Sequence, residues 1–198
     1  MLEDLLNNES TKETDIQKYL EKNSNIMIAE FGQTDWYYNI LIPQFKFGSD
    51  YIADFVFLKG QSFSFWIDLI EIKPACSHMF NKDGTFSQKL NKAVFQVNSW
   101  KYWINENESA FREHLQKELR KKYSDFAEDF RMGYTRRFVV KRNIIMSRRN
   151  LCVGFEKQRQ QLEESGIHTI TYDRLIQAEK NAIEMTETKT IRTPYWEK

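Results

Sequence analysis

The sequence predicts an α/β fold in which a mixed sheet is flanked by helices, and three patterns lead to this prediction. Three apolar runs separated by turn residues occupy residues 36–73, which is typical of an antiparallel meander. Helical spacing of apolar residues follows over 86–105, and a strongly charged helix is expected over 108–122. The rest of the chain alternates strand patterns with helical patterns, up to a polar end.

The first helix is expected over residues 11–22. Ser10 and Glu13 have the spacing of a capping box, and the run Asn23-Ser24-Asn25 should end the helix. The meander then predicts strands over 36–47, 51–58 and 63–73. The third strand ends at Pro74, and its nearly continuous apolar character predicts burial on both faces.

Helices are expected next over 86–105 and 108–122, followed by a strand over 137–146, a helix over 154–165, a strand over 168–172 and a helix over 173–184. The first of these has an apolar stripe formed by Leu90, Ala93, Val94, Val97, Trp100 and Ile104. We predict one domain over residues 1–184 and a polar tail over 185–198.

Composition excludes several classes of protein. The chain has 198 residues, of which 41% are hydrophobic and 29% charged, as in ordinary globular domains. No run approaches the roughly 18 apolar residues of a membrane span, and the N-terminus lacks the pattern of a signal peptide. Two cysteines cannot form a disulfide framework. A cytoplasmic location without membrane contact is therefore predicted.

The formal net charge of +1 conceals two segments of opposite charge. Residues 1–74 hold 6 Lys or Arg and 12 Asp or Glu, whereas residues 112–149 hold 12 and 5. Charged runs are usually solvated helix faces, but a basic surplus is also what phosphate contacts need. We expect nucleic-acid contacts from six residues that flank the strand in this basic segment: Arg136, Arg137, Lys141, Arg142, Arg148 and Arg149.

Charged side chains beside the third strand are the main candidates for catalysis. Glu71 and Lys73 are two residues apart, so they share one face of the strand, and Asp54 on the neighbouring strand could meet Glu71. Charges in so apolar a run are costly unless they are paired or bind a ligand. Two carboxylates plus the Ile72 carbonyl describe an open Mg²⁺ site. Lys73 beside it could orient or deprotonate water and neutralise a phosphate.

Each candidate also has a structural interpretation. Glu71 and Lys73 could form an ion pair that only stabilises the sheet, and Asp54 could be a solubilising charge at a strand edge. Gln96, one turn before Trp100, could be a buried amide or could position water or phosphate. Glu13 is explained by the capping box. Asp68 has the opposite parity from Glu71 and is expected to be structural.

The order of strand Asp, strand Glu-x-Lys and helix resembles the PD-(D/E)XK nuclease superfamily, with Ala53 in place of the Pro that often precedes the Asp. Residues 53–58, 66–74 and 93–100 look like the nuclease domain of the Shedu anti-phage defence proteins, and residues 13–23 and 171–175 add further similarity. The resemblance implies a restriction-endonuclease-like core, with cleavage or nicking of DNA in bacterial defence that depends on Mg²⁺, or on Mn²⁺ as a substitute.

The same resemblance implies a homo-oligomer and leaves room for a regulatory partner protein. In this interpretation Asp54, Glu71, Lys73 and Gln96 are catalytic, and the metal ligands are Asp54, Glu71, the Ile72 carbonyl and Glu13. The alternative is a non-catalytic subunit of a defence complex that binds nucleic acid or forms oligomers.

Overall fold

The structure is a computed structural model, and it describes residues 1–8, 10–32, 38–49, 51–61, 64–122 and 137–188. Its helices are α1 (Leu2–Asn7), α2 (Glu13–Lys22), α3 (Ser24–Phe31), α4 (Gln88–Glu106), α5 (Glu108–Lys122), α6 (Glu156–Glu164) and α7 (Tyr172–Thr188). Its strands are β1 (Tyr38–Phe47), β2 (Tyr51–Gln61), β3 (Ser64–Ile72), β4 (Arg137–Ile145) and β5 (Ile167–Ile170).

The five strands form one mixed sheet in the order β1-β2-β3-β4-β5. Strands β1, β2 and β3 pair antiparallel, and β3, β4 and β5 pair parallel. Short connections suffice for the antiparallel pairs, whereas the parallel return from β3 to β4 needs a long crossover, which contains α4 and α5. The predicted mixed sheet flanked by helices is confirmed.

Helices cover both faces of the sheet, and each face has its own apolar core. Helices α4, α5 and α6 pack on one face, and α1, α2, α3 and α7 pack on the other. In β3 the alternation is direct, since Ile67 and Leu69 face the α4 layer while Ile70 and Ile72 face the α2 layer. The prediction that β3 is buried on both faces is therefore confirmed. Within the described ranges, no helix is long and apolar enough to cross a bilayer.

The start of the first predicted helix is corrected. Helix α2 begins at Glu13, after an extended Lys12 whose N–H donates to Asp15 Oδ2 at 3.0 Å. Ser10 does not cap it, because its hydroxyl donates to Asn8 Oδ1 at 2.7 Å. Asp15 therefore closes the cap that was assigned to Ser10 and Glu13, and the Glu13 side chain is left for another contact.

The predicted end of the first helix is confirmed, because α2 ends at Lys22 with Asn23 as its C-cap. An unpredicted helix, α3, follows from Ser24, and its Ile26, Met27 and Phe31 bury their side chains in the α2-side core. The last helix extends to Thr188, four residues into the expected tail, and residues 189–198 lie outside the described part. The division into a domain and a tail stays a prediction.

The β1–β2 ladder has a break next to the candidate site. Pro43 pairs with Phe55 and Phe45 pairs with Ala53, and between these pairs Gln44 has a positive φ of 47°. A non-glycine residue with this φ is uncommon. Across the break the alternation of faces shifts, because Ala53 and Val56 are three residues apart yet face the same core. The break places Asp54 at the edge of regular pairing.

A buried ion pair joins β2 to β3 in the interior. Lys59 Nζ lies 2.8 Å from Asp68 Oδ2 and donates to the Phe31 carbonyl at 3.0 Å, while Asn143 Nδ2 donates to Asp68 Oδ1 at 3.1 Å. Asp68 is only 2% exposed. Its expected structural role follows from these contacts, since each charge has a partner that offsets its desolvation.

Asp68→Ala should lower the free energy of unfolding by about 3 kcal/mol, because it leaves the Lys59 ammonium buried without its carboxylate. Urea denaturation followed by circular dichroism measures the loss. The matched control is Glu118→Ala, which removes an exposed pair with Lys121 at 2.7 Å and should cost less than about 1 kcal/mol. Equal losses for the two variants would contradict this assignment.

Candidate active site

The candidate site lies at the carboxyl end of β3, where the strand leaves the sheet. Four predicted residues meet there: Asp54 from β2, Glu71 from the end of β3, Lys73 just after it and Gln96 from α4. The parity of β3 places Glu71 on the α4 side of the sheet, together with Leu69. The position of the site thus follows from the crossing of α4 behind the last residues of β3.

Asp54 is bound to the backbone of β3. The regular β2–β3 pairing ends at Phe55 and Ile70, and beyond it the Ile72 N–H donates to Asp54 Oδ2 at 2.8 Å. Gln44 Nε2 donates to the other carboxylate oxygen at 3.3 Å. A strand residue directs its N–H and its C=O toward the same neighbour. The Ile72 carbonyl therefore lies on the edge that faces Asp54.

Glu71 is almost fully buried, at 3% exposed, and both of its oxygens have a partner. Gln96 Nε2 donates to Oε2 at 2.9 Å, and Lys73 Nζ lies 2.5 Å from Oε1. The amide of Gln96 thus fixes the orientation of the carboxyl group from the α4 side. Gln96 was expected to be either a buried amide or a residue of the site. Its hydrogen bond to Glu71 places it at the site, as a residue that holds this carboxyl group.

Lys73 contacts a second carboxylate from the opposite helical layer. Its Nζ lies 3.4 Å from Glu13 Oε1, at the first residue of α2. Its carbonyl accepts a hydrogen bond of 2.9 Å from the hydroxyl of Tyr172, whose side chain is fully buried at the start of α7. Glu13 therefore reaches the site as a partner of Lys73, and its assignment as a metal ligand stays a prediction.

Burial and charge repulsion make Glu71 hard to ionise. Burial raises the pKa of Glu71 to about 8, and the nearby Asp54 carboxylate contributes to the rise, while Lys73 opposes it. Burial also raises the pKa of Asp54, although the Ile72 N–H and Lys73 counteract this effect. The two carboxyl groups are close enough to share a hydrogen bond. Each therefore ionises at the expense of the other.

The pKa of Lys73 is displaced in the direction that keeps its charge. Burial lowers it, but Glu71, Glu13 and Asp54 all favour the ammonium form, and the net shift is upward. A lysine with a raised pKa is a poor general base at neutral pH. Of the two roles expected for Lys73, the geometry and charge favour stabilising negative charge over deprotonating water.

The donor set suits a hard divalent cation. In the described part of the chain, no group of three His, Cys, Asp or Glu side chains could hold a metal ion. The available oxygens are those of Asp54, Glu71 and the Ile72 carbonyl, and such a small set matches Mg²⁺, which keeps several waters. A cation between two buried carboxylates would also relieve the repulsion that raises the pKa of Glu71. These residues fit the predicted ion.

The predicted nucleic-acid contacts do not form one group. Arg137 pairs with Ser64 at the far end of β3, seven residues from Glu71 and so about 23 Å along the strand. Its side chain and all of Arg136 lie outside the described part. Lys141 is half-buried, with its Nζ 4.8 Å from the centre of the Trp66 ring.

Arg142 is corrected. It is buried at 5% exposed, with its guanidinium held by Asn98 Oδ1 and by the Ser165 carbonyl at 2.6 Å. In β4 it has the same parity as Ile144, which faces the α4 core. Gly166 makes room for it, because a Cβ at this position of φ +80° would lie 2.9 Å from Arg142 Nη2. Arg142 therefore joins α4 to the end of α6 and is not free to bind phosphate.

Arg148 and Arg149 lie at the same end of the sheet as the site, because β3 and β4 are parallel and pair Ile72 with Ile145. Arg148 Nε donates to Asp173 Oδ1 at 3.2 Å, and the Arg149 N–H donates to Asp173 Oδ2 at 2.6 Å. The side chain of Arg149 is exposed. These two residues therefore follow β4 at the end of the sheet that carries the site, and Arg149 leaves its side chain exposed there.

Sequence reasoning assigned no role to three residues at the site. Tyr172 donates to the Lys73 carbonyl, and Gln44 donates to Asp54. Lys89, in the first turn of α4, donates to Ser77 Oγ at 2.8 Å, and its charge favours the ionised form of Glu13. Tyr172 lies in the segment 171–175 that was noted as similar to a known family, which could have drawn attention to it. Gln44 and Lys89 had no signal in the sequence.

Comparison with known proteins identifies the family. The family described as Shedu protein SduA, C-terminal, matches residues 10–176, which include every element from α2 to β5 and the whole candidate site. No curated protein matches the chain.

Glu71→Gln should stabilise the metal-free protein at high pH. The pKa of Glu71 is about 8 in the folded protein against an ordinary 4.5. Protonation of Glu71 therefore favours the folded state. This contribution to the free energy of unfolding is complete below pH 4.5 and is lost as the pH rises through about 8. The variant cannot ionise, so its advantage in free energy of unfolding should grow by on the order of 1–3 kcal/mol from about pH 5 to 9.

Urea denaturation in EDTA at several pH values measures that advantage. A difference between Glu71→Gln and the wild type that stays constant from about pH 5 to 9 would show that Glu71 ionises as easily in the fold as in the unfolded chain.

Proposed function

Because the chain belongs to the Shedu SduA C-terminal family, whose members act in anti-phage defence, we propose that it is a Mg²⁺-dependent DNA endonuclease of the PD-(D/E)XK type. The observation that supports this most strongly is the convergence of Asp54, Glu71, Lys73 and Gln96 at the end of β3. An ion pair that only stabilised the sheet would need neither Asp54 nor Gln96 beside it.

Asp54, Glu71 and the Ile72 carbonyl would hold the ion, with Glu13 as a possible fourth ligand from α2. When bound, Mg²⁺ supplies Lewis-acid chemistry to the phosphate and to the attacking water. The site residues account for the other requirements. Gln96 fixes the Glu71 carboxyl, and the backbone of Ile72 fixes Asp54, so that both ligands are oriented before anything binds.

Lys73 is proposed to stabilise the transition state of phosphodiester hydrolysis. A water oxygen attacks phosphorus and releases a proton to solvent, the bond from phosphorus to the leaving oxygen breaks, and the leaving oxygen takes up a proton from solvent. Negative charge grows on the phosphate oxygens in the transition state. The raised pKa of Lys73 keeps an ammonium group ready for this charge. The Tyr172 hydroxyl holds the Lys73 carbonyl at 2.9 Å, which limits movement of the backbone that carries the ammonium.

The proposed partners are DNA, further copies of the chain and a regulatory protein. DNA phosphates are proposed to be contacted by Arg136, Arg137, Lys141, Arg148 and Arg149. A homo-oligomer and a regulatory partner protein are proposed from family membership alone, and Mn²⁺ is proposed as a substitute for Mg²⁺.

Lys73→Met should lower the rate of DNA cleavage at least about 100-fold, because it removes a preorganised charge at the phosphate. Relaxation and linearisation of supercoiled plasmid with Mg²⁺ or Mn²⁺ measures the rate, and EDTA should abolish cleavage by the wild type. Lys121→Met on α5 is the matched control, since this lysine is exposed and forms an ion pair with Glu118 away from the candidate site.

Metal binding is measured separately by calorimetry with Mn²⁺, where Asp54→Asn should weaken binding by at least tenfold. Cleavage by Lys73→Met at the wild-type rate would rule out the proposed role of Lys73. Salt-dependent DNA binding without any cleavage would instead support the non-catalytic subunit.

Arg149→Ala should weaken binding to duplex DNA and reduce the slope of log affinity against log salt by about 0.9, the contribution of one phosphate contact. Fluorescence anisotropy in EDTA at a series of salt concentrations measures both quantities. Lys180→Ala is the control, because this lysine is also exposed but lies on α7, 3.9 Å from Glu3. An unchanged slope for Arg149→Ala would remove this residue from the contact surface.

A further inference from the structure

The outer face of α4 is basic and carries exposed aromatic side chains. Helix α4 contains three lysines and one acidic residue, Glu106 at its C-terminal end. Two aromatic side chains stand out from this face into solvent: Phe95 is 76% exposed and Tyr102 is 71% exposed. Phe is among the residue types most often buried in proteins, and the exposure of Phe95 leaves much of its side chain accessible to a ligand.

Phe95 lines an open groove of about 1090 Å³ between α4 and the β1–β2 hairpin. We call it the α4 groove, and the lining residues that matter here are Ile52, Phe86, Asn91, Lys92, Phe95, Gln96 and Asn98. Two of them connect it directly to the carboxylates. Gln96 donates to Glu71, and Ile52, 40% exposed, lies two residues before Asp54 on β2. The groove and the candidate site thus share two elements.

The side-chain amides of Asn98 and Gln96 in the groove are oriented by hydrogen bonds to Arg142 and Glu71. Arg142 has only donors, so the Asn98 side chain must direct its carbonyl oxygen at the guanidinium, and its NH₂ group is left for another partner. Gln96 directs its NH₂ at Glu71, which leaves its carbonyl oxygen as an acceptor. The groove therefore combines an exposed aromatic ring with one oriented donor and one oriented acceptor, and Lys92 adds a positive charge at its wall.

We propose that the α4 groove binds an unpaired nucleobase of the DNA substrate, next to the phosphate that is cleaved. Every base has a face that stacks on an aromatic ring, and amides pair with base edges. In a duplex both features are occupied, so the base must come from a single strand, a frayed end or a flipped nucleotide. This inference rests on the proposed nuclease function and adds a substrate class to it.

The charge of α4 argues for nucleic acid over a second copy of the chain. In a symmetric dimer the same patch would face itself, and Lys89, Lys92 and Lys101 would meet like charges, with Glu106 at the end of α4 as the one acidic residue of the helix. Phosphates supply the opposite charge that this face lacks. Lys92 and Lys89 are positioned about one and two turns before Gln96 on the helix, where they can follow the strand that carries the base.

The first experiment compares Phe95→Ala with Tyr102→Ala in the full chain. The two residues are similarly exposed on one helix, but Tyr102 lies two turns farther along and does not line the groove. Fluorescence anisotropy in EDTA, where cleavage cannot interfere, gives affinities for a single-stranded oligonucleotide and a duplex of equal length. We expect Phe95→Ala to weaken single-strand binding about tenfold and duplex binding less than twofold, and Phe95→Trp to restore it.

A scan with abasic sites identifies the base. An oligonucleotide lacking one base at successive positions should show a single position where wild-type affinity falls about tenfold, and where Phe95→Ala adds no further loss. Tyr102→Ala should leave both the profile and the affinity unchanged.

The proposal is overturned if Phe95→Ala binds single strands as tightly as wild type. It is also overturned if Phe95→Ala lowers the affinity by the same factor at every position of the abasic site. It is also overturned if light scattering shows that Phe95→Ala breaks up an oligomer and binding falls equally for both DNA forms, since the groove would then be an interface between copies. Cleavage is measured separately with Mg²⁺. If binding depends on Phe95 but no DNA is cleaved, the proposed nuclease function is wrong and the base site stands. If DNA is cleaved at the same rate with and without Phe95, the base site is wrong and the nuclease function stands.

Discussion

The hydrogen bond from the Ile72 N–H to Asp54 determines how the rest of the site is arranged. Pairing between β2 and β3 stops at Phe55 and Ile70, and a buried N–H beyond that point needs an acceptor. A carboxylate supplies it, which draws Asp54 toward the end of β3. The break in the β1–β2 ladder at Gln44 releases Asp54 from regular alternation so that it can reach Ile72. The backbone and the chemistry of the site therefore depend on the same contact.

The site keeps three carboxyl groups around one ammonium. Burial raises the pKa of Glu71, Asp54 and Glu13, so the fold accepts groups that are costly to ionise where they lie. Lys73 offsets part of this cost through ion pairs with Glu71 on β3 and with Glu13 on α2. An arrangement with more acidic than basic groups is poorly suited to stability alone and well suited to binding a divalent cation.

Much of the site could be predicted because strand periodicity is regular. The two-residue spacing of Glu71 and Lys73, and the opposite parity of Asp68, place these side chains correctly. The same rule applied to Arg142 and Ile144 would have shown that Arg142 faces the core, but the charge of the segment was given more weight. Glu13 was assigned to a cap that Asp15 forms instead. The positive φ of Gln44 has no signature in the sequence, because it is imposed by tertiary contacts.

Helix α4 connects the carboxylates of the candidate site to the groove on its outer face. Successive residues on a helix point about 100° apart, so Gln96 can turn toward Glu71 while Phe95 turns toward solvent. The helix cannot rotate to change this, because Leu90, Val97 and Trp100 are fully buried against the sheet. The distance from a base on Phe95 to the carboxylates is therefore set by the core packing of α4. In the proposed nuclease, rigid packing of the hydrophobic core would therefore fix the distance between the bound unpaired base and the phosphate that is cleaved.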